Sequence, residues 1–234
     1  MRKLAIFLLC VSLFSCSRQD LVRIEGEMSH GKGRTLYLSL LTNEGLQTLD
    51  SLKLRRDRFR FTVQPHTIEQ YGMDSYPAFY QLSFGPENAF STLVGPGQTV
   101  DIKADANQLV STYRVSGPED ALLMWELDSA LAAFARYTDT LLQVYNYYMD
   151  DDSVRSKVEQ RYNRLVEAHQ RYLRTFIAQH PHSFSTMIAF YQGYNNRRFF
   201  DEQQDADLLR SLTDSLSMCY PNSQYVSYLY SRIK

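Results

Sequence analysis

The chain has 234 residues, a formal net charge of −1 at pH 7 and 44% hydrophobic residues, enough apolar material for one large or two modest domains. This balance lacks the basic excess that holds nucleic acid, so nucleic acid is not an expected partner. Its 17 tyrosines and 13 phenylalanines favour amphipathic surfaces between domains.

The N-terminal segment has the order of a secretory signal peptide. Two basic residues precede an uncharged apolar run over residues 4–14, which is too short to span a bilayer because a spanning helix needs about 20 apolar residues. Leu13 and Ser15 then precede Cys16 in a pattern that resembles the bacterial lipobox. We therefore expect residues 1–15 to be removed and Cys16 to be acylated.

An acylated Cys16 determines the expected location. Several acyl chains on one residue anchor a protein stably, whereas one chain binds marginally. The prediction is secretion across the inner membrane and lipid anchoring in the bacterial cell envelope, at the outer membrane, with residues 16–20 as a short tether. An ordinary cleaved signal with a free Cys16 thiol is the alternative.

Cysteine usage limits the redox chemistry of the folded body. Cys10 leaves with the predicted signal and Cys16 is the anchor, so only Cys219 remains in the body. The chain contains no Cys-x-x-Cys pair, which thioredoxin-like enzymes need. We expect Cys219 to be a small buried side chain at a helix end, with a reactive thiol as the alternative.

Residues 21–117 are predicted to form an antiparallel β-sandwich or open barrel. Strict apolar–polar alternation predicts strands with one dry face and one wet face. Glycine turns separate these strands and no helical pattern lies between them. Asp50 and Ser51 are interpreted as a polar turn or bulge of a hairpin, not as a catalytic pair. The alternating segments are VRIEGEM, TLYLSL, RFRFTV, TVDIKAD and TYRV.

Residues 118–234 are predicted to form an all-α helical bundle, which makes the fold class α+β in two parts. Apolar residues recur every three or four positions and predict two long amphipathic helices. The MDDDS segment between them is expected to cap the second helix rather than to bind calcium. The stripes are Leu123, Leu127, Leu131, Phe134, Thr138, Leu141, Tyr145 and Tyr148, then Val154, Val158, Tyr162, Leu165, His169, Tyr172 and Phe176.

A weak internal repeat follows these two helices. Pro181 and Pro221 lie 40 residues apart, and so do Ser183 and Ser223. In each copy the proline blocks the preceding helix, and the polar residues after it are able to cap a new one. The repeat therefore predicts helix–break–helix units that stack on their neighbours.

Several segments together resemble an uncharacterised β-domain, with the helical linker that follows it, at the front of envelope-anchored thioredoxin-like thiol-disulfide oxidoreductases. The segments are IEGEM, GRTLYLSLL, LQTLDSLKLRRDRFRF, LVGPGQTVDIKAD and YRVSGPEDALLMWELD. The residues that match the pattern are Gly26, Leu36, Tyr37, Leu38, Asp50, Ser51, Phe59 and Phe61.

The resemblance implies a non-catalytic front half that anchors, spaces or recruits. In the usual layout a thioredoxin-like domain with a Cys-x-x-Cys site comes next, and the given sequence stops at Lys234, where that domain is expected to begin. Redox activity is therefore not carried over. We expect no catalytic residues, cofactor or metal, and a thioredoxin-like or other envelope protein as partner.

Arg56, Arg58 and Arg60 are the candidate contacts for a partner's acidic patch or for anionic lipid headgroups. The alternative is a charged strand face that prevents edge-to-edge aggregation. His180 and His182 flank a proline and are interpreted as a solvated helix break rather than as zinc ligands.

Two tyrosine-rich segments, YNYYMD and YVSYLY, fit an interdomain seam, and a peptide- or glycan-binding surface is their alternative. The leading functional hypothesis is a binding or scaffolding lipoprotein. A truncated oxidoreductase with a lost or separately encoded thioredoxin domain, and a glycan- or peptide-binding surface lipoprotein, are the alternatives.

Overall fold

The computed structural model describes residues 20–72 and 76–233. The predicted signal peptide and Cys16 lie outside the described residues. Within them, the predicted α+β architecture is confirmed: two four-stranded sheets form an open sandwich, and helices follow. The sandwich strands are β1 (Val22–Ser29), β2 (Thr35–Thr42), β3 (Gly45–Lys53), β4 (Arg58–Val63), β5 (Ala78–Ser83), β6 (Ala89–Val94), β7 (Thr99–Asp105) and β8 (Arg114–Ser116).

The strand order is β4-β1-β7-β8 in one sheet and β3-β2-β5-β6 in the other. All neighbours in these sheets are antiparallel except β1 and β7, which run parallel. Gly26 lies where these two strands meet, and a Cβ there would stand 1.8 Å from the carbonyl oxygen of Ile102. Only glycine permits this close approach of the two backbones.

Two short helices, α1 (Pro65–Glu69) and α2 (Leu109–Thr112), interrupt the β-region. The expectation that no helix lies between the strands was therefore wrong. The predicted bulge at Asp50 agrees with the structure, because the β2–β3 register shifts between Leu38 and Ser39. Leu38 lies opposite Asp50. A β-bulge of this kind adds one residue to one strand.

The helical part begins as predicted after Gly117-Pro118. Asp151 lies at the N-terminus of α4 and its side chain accepts a hydrogen bond from the Val154 amide at 3.1 Å, which confirms the predicted cap. The elements are α3 (Glu119–Tyr147), α4 (Asp152–Gln179), α5 (Ser185–Tyr191), a small hairpin of β9 (Gly193–Tyr194) and β10 (Arg197–Arg198), α6 (Ala206–Cys219) and α7 (Gln224–Arg232).

The two copies of the internal repeat share two hydrogen bonds, although the helix of the first copy begins one residue later, after Phe184. The amide of Ser183 donates to the carbonyl of His180, and that of Ser223 donates to the carbonyl of Tyr220, both at 3.0 Å. Each serine hydroxyl then accepts from the amide two residues ahead, at 3.2 Å. The repeat therefore encodes two equivalent breaks that each start a helix.

One hydrophobic cluster runs through both parts of the fold. Helix α3 packs against β6 and β8, the edge strands on one side of the sandwich. The edge strands β3 and β4 lie on the other side. Among the helices of the described residues, none is long and apolar enough to cross a bilayer.

Candidate functional site

The wet face of β4 carries two of the three predicted site arginines. Arg58 and Arg60 are exposed while Phe59 and Phe61 are buried, as the alternation predicted. On β1, Glu27 accepts from the Arg58 Nε at 3.1 Å and Glu25 accepts from the Arg60 Nε at 2.5 Å. These carboxylates offset the charges of both arginines.

Strand β7 extends this face with one more charge of each sign. Asp101 stands beside Glu25 and Lys103 stands beside Glu27 in the parallel register. The cleft over the three strands has a volume of about 620 Å³, and its acidic and basic side chains balance. A mixed face of this kind discourages pairing at the β4 edge, which agrees with the alternative interpretation of the cluster.

Arg56 has a different environment. With Arg55 and with Lys53, the last residue of β3, it forms an exposed set, here called the basic loop. Within the described residues none of the three side chains forms an ion pair, and Asp57 is the only acidic residue in the same turn. The basic loop is therefore the part of the predicted cluster that retains an uncompensated positive charge.

The basic loop lies at the far end of the sandwich from the N-terminal entry of the chain. The Met28 amide donates to the Asp57 carbonyl at 2.6 Å, so the loop stands at the last residues of β1. The chain enters β1 at Val22. Six steps of a β-strand separate the two ends by about 20 Å.

The predicted tyrosine seam is confirmed for Tyr225 of YVSYLY, whereas Tyr228 and Tyr230 are exposed. The β2–β5 ladder ends at the Leu40–Tyr80 pair. At the next position the Tyr225 hydroxyl replaces the missing strand contact: it donates to the Leu41 carbonyl at 2.9 Å and accepts from the Phe79 amide at 3.2 Å. Helix α7 is thereby joined to the sandwich backbone.

A second set of polar contacts joins α3 to Tyr113, the residue before the last sandwich strand β8. The hydroxyl of Tyr113 donates to Asp128 at 2.6 Å, and the indole of Trp125 donates to the Tyr113 carbonyl at 3.1 Å. Burial raises the pKa of Asp128, and the hydrogen bond from Tyr113 opposes this rise. Burial likewise raises the pKa of the Tyr113 hydroxyl.

The other tyrosine-rich segment, YNYYMD, is not part of a seam. Tyr147 is 81% exposed at the end of α3, and Tyr148 and Met149 are exposed beside it. The seam interpretation was wrong here because α3 extends past the sandwich, and in the described part of the chain the Tyr147 and Tyr148 rings stay exposed. Tyr147, Tyr148 and Met149 together form an exposed end of α3, here called the aromatic tip.

The expectation for Cys219 was also wrong, because its side chain is exposed. Tyr220 takes the place over the core, with its ring 4.4 Å from that of Phe184. The Cys219 sulfur lies 3.4 Å from Nδ1 of His182. Within the described residues no group of three or more His, Cys, Asp or Glu side chains is arranged to hold a metal ion.

His169 is buried, as its place on the apolar stripe predicted. Its Nε2 lies 2.7 Å from the side-chain oxygen of Gln192. Burial lowers the pKa of the imidazole, and the Gln192 contact opposes this shift. His169 is thus a hydrogen-bonded core residue.

Comparison with known proteins gives no match. No family model, no curated protein and no solved structure is similar to this chain. The resemblance to the front half of thiol-disulfide oxidoreductases therefore stays a prediction from the quoted segments.

Proposed function

We propose that this chain is a lipid-anchored protein of the bacterial cell envelope that binds and positions another envelope protein, without catalysis of its own. The observation that carries the proposal is an uncompensated basic loop at the end of the sandwich remote from Val22. An acidic surface on the partner is its complement, since like charges exclude wrong partners and opposite charges guide association.

The length of the tether favours a protein partner over the protein's own membrane. Residues 16–21 span at most about 20 Å when fully extended. An anchor at Cys16 therefore holds the Val22 end of the sandwich near the bilayer. With that end toward the bilayer, the basic loop, at the opposite end of β1, faces the envelope compartment rather than the lipid headgroups.

The contacts of the remaining polar residues support a structural role for them. Asp50 accepts a hydrogen bond from the Ser51 amide at 2.7 Å within β3, so its carboxylate is engaged in local backbone geometry. Arg58 and Arg60 are engaged by Glu27 and Glu25. The contacts of Tyr225 that join the helices to the sandwich suit a module that presents one surface of a single packed unit.

Affinity purification from membranes tests the proposal. The full chain is compared with Cys16→Ser and with the charge-reversal pair Arg55→Glu/Arg56→Glu. Arg161→Glu/Arg164→Glu is the matched control, because both arginines are exposed on α4. We expect the same partner with the wild type and the α4 control, and its loss in the other two variants.

Two results would overturn the proposal. Mass spectrometry that finds an unacylated mature N-terminus at another residue would remove the anchor. Disulfide reductase activity in the purified chain alone would remove the non-catalytic assignment.

A further inference from the structure

The halves of α3 and α4 that lie farther from the sandwich leave a groove between them instead of a closed seam. Nearer the sandwich the same two stripes close tightly, with the Phe134 ring 5.0 Å from the His169 ring. Beyond that point the α3–α4 groove has a volume of about 500 Å³, within the range of small-molecule sites. Its lining residues are Thr138, Leu141, Leu142, Tyr145, Val158, Glu159, Tyr162, Asn163 and Asn195.

The inner end of the groove contains an unsatisfied polar group. Thr138 is only 8% exposed, and its Oγ1 has no hydrogen-bond partner within the described residues. A buried hydroxyl without a partner costs free energy. Because Thr138 lines the groove, a ligand with a hydrogen-bonding group is able to supply the missing partner.

Two amides complete the polar end. Asn163 comes from α4, and Asn195 comes from the turn of the β9–β10 hairpin, where Asn195 and Asn196 have φ angles of 49° and 61°. Asparagine tolerates this left-handed conformation better than most residues. The hairpin thus places an amide at the inner end, while the walls toward the tip are aliphatic and aromatic.

The one charge of the lining disfavours an acidic ligand. Glu159 is the only charged side chain among the lining residues. The nearby Arg155 is not a lining residue: its Nη2 donates to the Tyr145 hydroxyl at 2.7 Å, its Nη1 lies 3.6 Å from Asp152, and its buried Nε has no partner within the described residues. A ligand in the groove therefore meets neutral hydrogen-bonding groups at one end and apolar walls along its body.

We propose that the α3–α4 groove binds a neutral amphiphile, with a hydroxyl or amide head at Thr138, Asn163 and Asn195 and an apolar body against Leu141, Leu142 and Val158. The inference does not rest on the proposed function, because the groove lies on the helices and the basic loop on the sandwich. Few precisely placed polar groups in an apolar cleft are the usual composition of such a site.

Displacement of the fluorescent probe N-phenyl-1-naphthylamine by 1-decanol tests this inference on the full chain carrying Cys16→Ser, so that no detergent competes. We expect both compounds to bind. Thr138→Val, which keeps the side-chain shape, is expected to weaken decanol binding about 10-fold while probe binding changes less than about two-fold. Unfolding in the absence of ligand is expected to find this variant at least as stable as the parent.

A filling variant gives the second arm. Leu142→Trp is expected to abolish binding of both compounds, and Leu46→Trp is the matched control because the two leucines are 51% and 49% exposed. Absence of probe binding, or full binding in Leu142→Trp, would overturn the site. Equal displacement by decanoate and decanol, or an unaltered decanol affinity in Thr138→Val, would overturn the neutral head group at Thr138.

Discussion

Two tyrosine-rich helical segments of similar composition have opposite environments in this protein. Tyr225, near the start of α7, is 4% exposed and bonds to two strands, whereas Tyr147, at the end of α3, is 81% exposed. The comparison shows that an aromatic stripe indicates a surface that can be buried, and that the neighbouring elements decide whether it is.

Helix length explains the difference. Helix α3 has 29 residues, which gives a length of about 43 Å. The strands that it packs against, β6 with 6 residues and β8 with 3 residues, are at most about 20 Å long. Within the described residues the distal end of α3 therefore packs against α4 and the β9–β10 hairpin instead of the sandwich, whereas α7 follows a helix break that returns it to the sheet.

The largest effect is expected in the seam. Phe184 is fully buried, with its ring 4.4 Å from Tyr220 and 5.2 Å from Tyr225. Phe184→Ala is expected to lower the free energy of unfolding by about 3–5 kcal/mol, since the ring leaves a cavity. Tyr147→Ala at the aromatic tip is expected to change it by less than about 0.5 kcal/mol. Urea denaturation measures both, and similar losses would refute the contrast.

The next effect concerns two buried hydroxyls. Tyr225→Phe leaves the Phe79 amide and the Leu41 carbonyl without this partner, and is expected to cost about 1–3 kcal/mol. Tyr80→Phe is expected to be neutral or stabilising, because within the described residues the Tyr80 hydroxyl has no hydrogen-bond partner. Equal costs by urea denaturation would contradict the role of Tyr225 as the end of the strand ladder.

A pH-dependent effect is expected where α3 meets the sandwich. Burial raises the pKa of Asp128 in the folded protein above the unfolded value of about 3.9. The folded state therefore holds its proton more tightly, and stability from this group is lost as pH rises through the folded pKa. Asp128→Asn is expected to gain stability relative to the wild type between about pH 4 and pH 7, as followed by thermal unfolding.

Asp105 provides a control of opposite sign. The hydrogen bond from the Asn107 amide, followed by the contact with His30, lowers the pKa of Asp105. Its contribution is present above the unfolded pKa of about 3.9 and is lost as pH falls through the lower folded pKa, so Asp105→Asn is expected to lose relative stability as pH rises toward about 4 and to change little between about pH 4 and pH 7. Parallel slopes in the two variants would contradict the assignment.

The smallest effect is expected on the charged face of β4. The side chains of Arg58 and Glu27 are 81% and 49% exposed, and exposed ion pairs contribute little. A double-mutant cycle of Arg58→Ala and Glu27→Ala is expected to give a coupling below about 1 kcal/mol that decreases with added salt. A coupling above about 2 kcal/mol would indicate a buried network instead of a solvated face.

Local sequence patterns predicted the elements whose structure depends on residues close to one another in the sequence. Alternation in RFRFTV predicted β4 with its buried phenylalanines, the Asp-rich segment predicted the cap of α4, and the 40-residue repeat predicted two serine-started helices. Each of these features depends on residues within a few positions of one another, so the sequence contains the whole interaction.

Features that depend on remote surfaces were not predicted. Strand β5 is buried on both faces, because the sandwich core covers one and α7 covers the other, and it therefore lacks the alternation that identified β4. Cys219 is exposed because the neighbouring Tyr220, and not Cys219, covers Phe184. The wet face of Arg58 and Arg60 was predicted, but their neutralisation by β1 was not.

By itself the sequence determined the two-part order of strands and helices, the helix caps and the dry and wet faces of the strands. Only the tertiary structure decided which stripes are covered, which arginines retain their charge and where a groove stays open. The physical reason is that periodicity records which side of an element is apolar, whereas burial and ion pairing require a partner surface from a distant part of the chain.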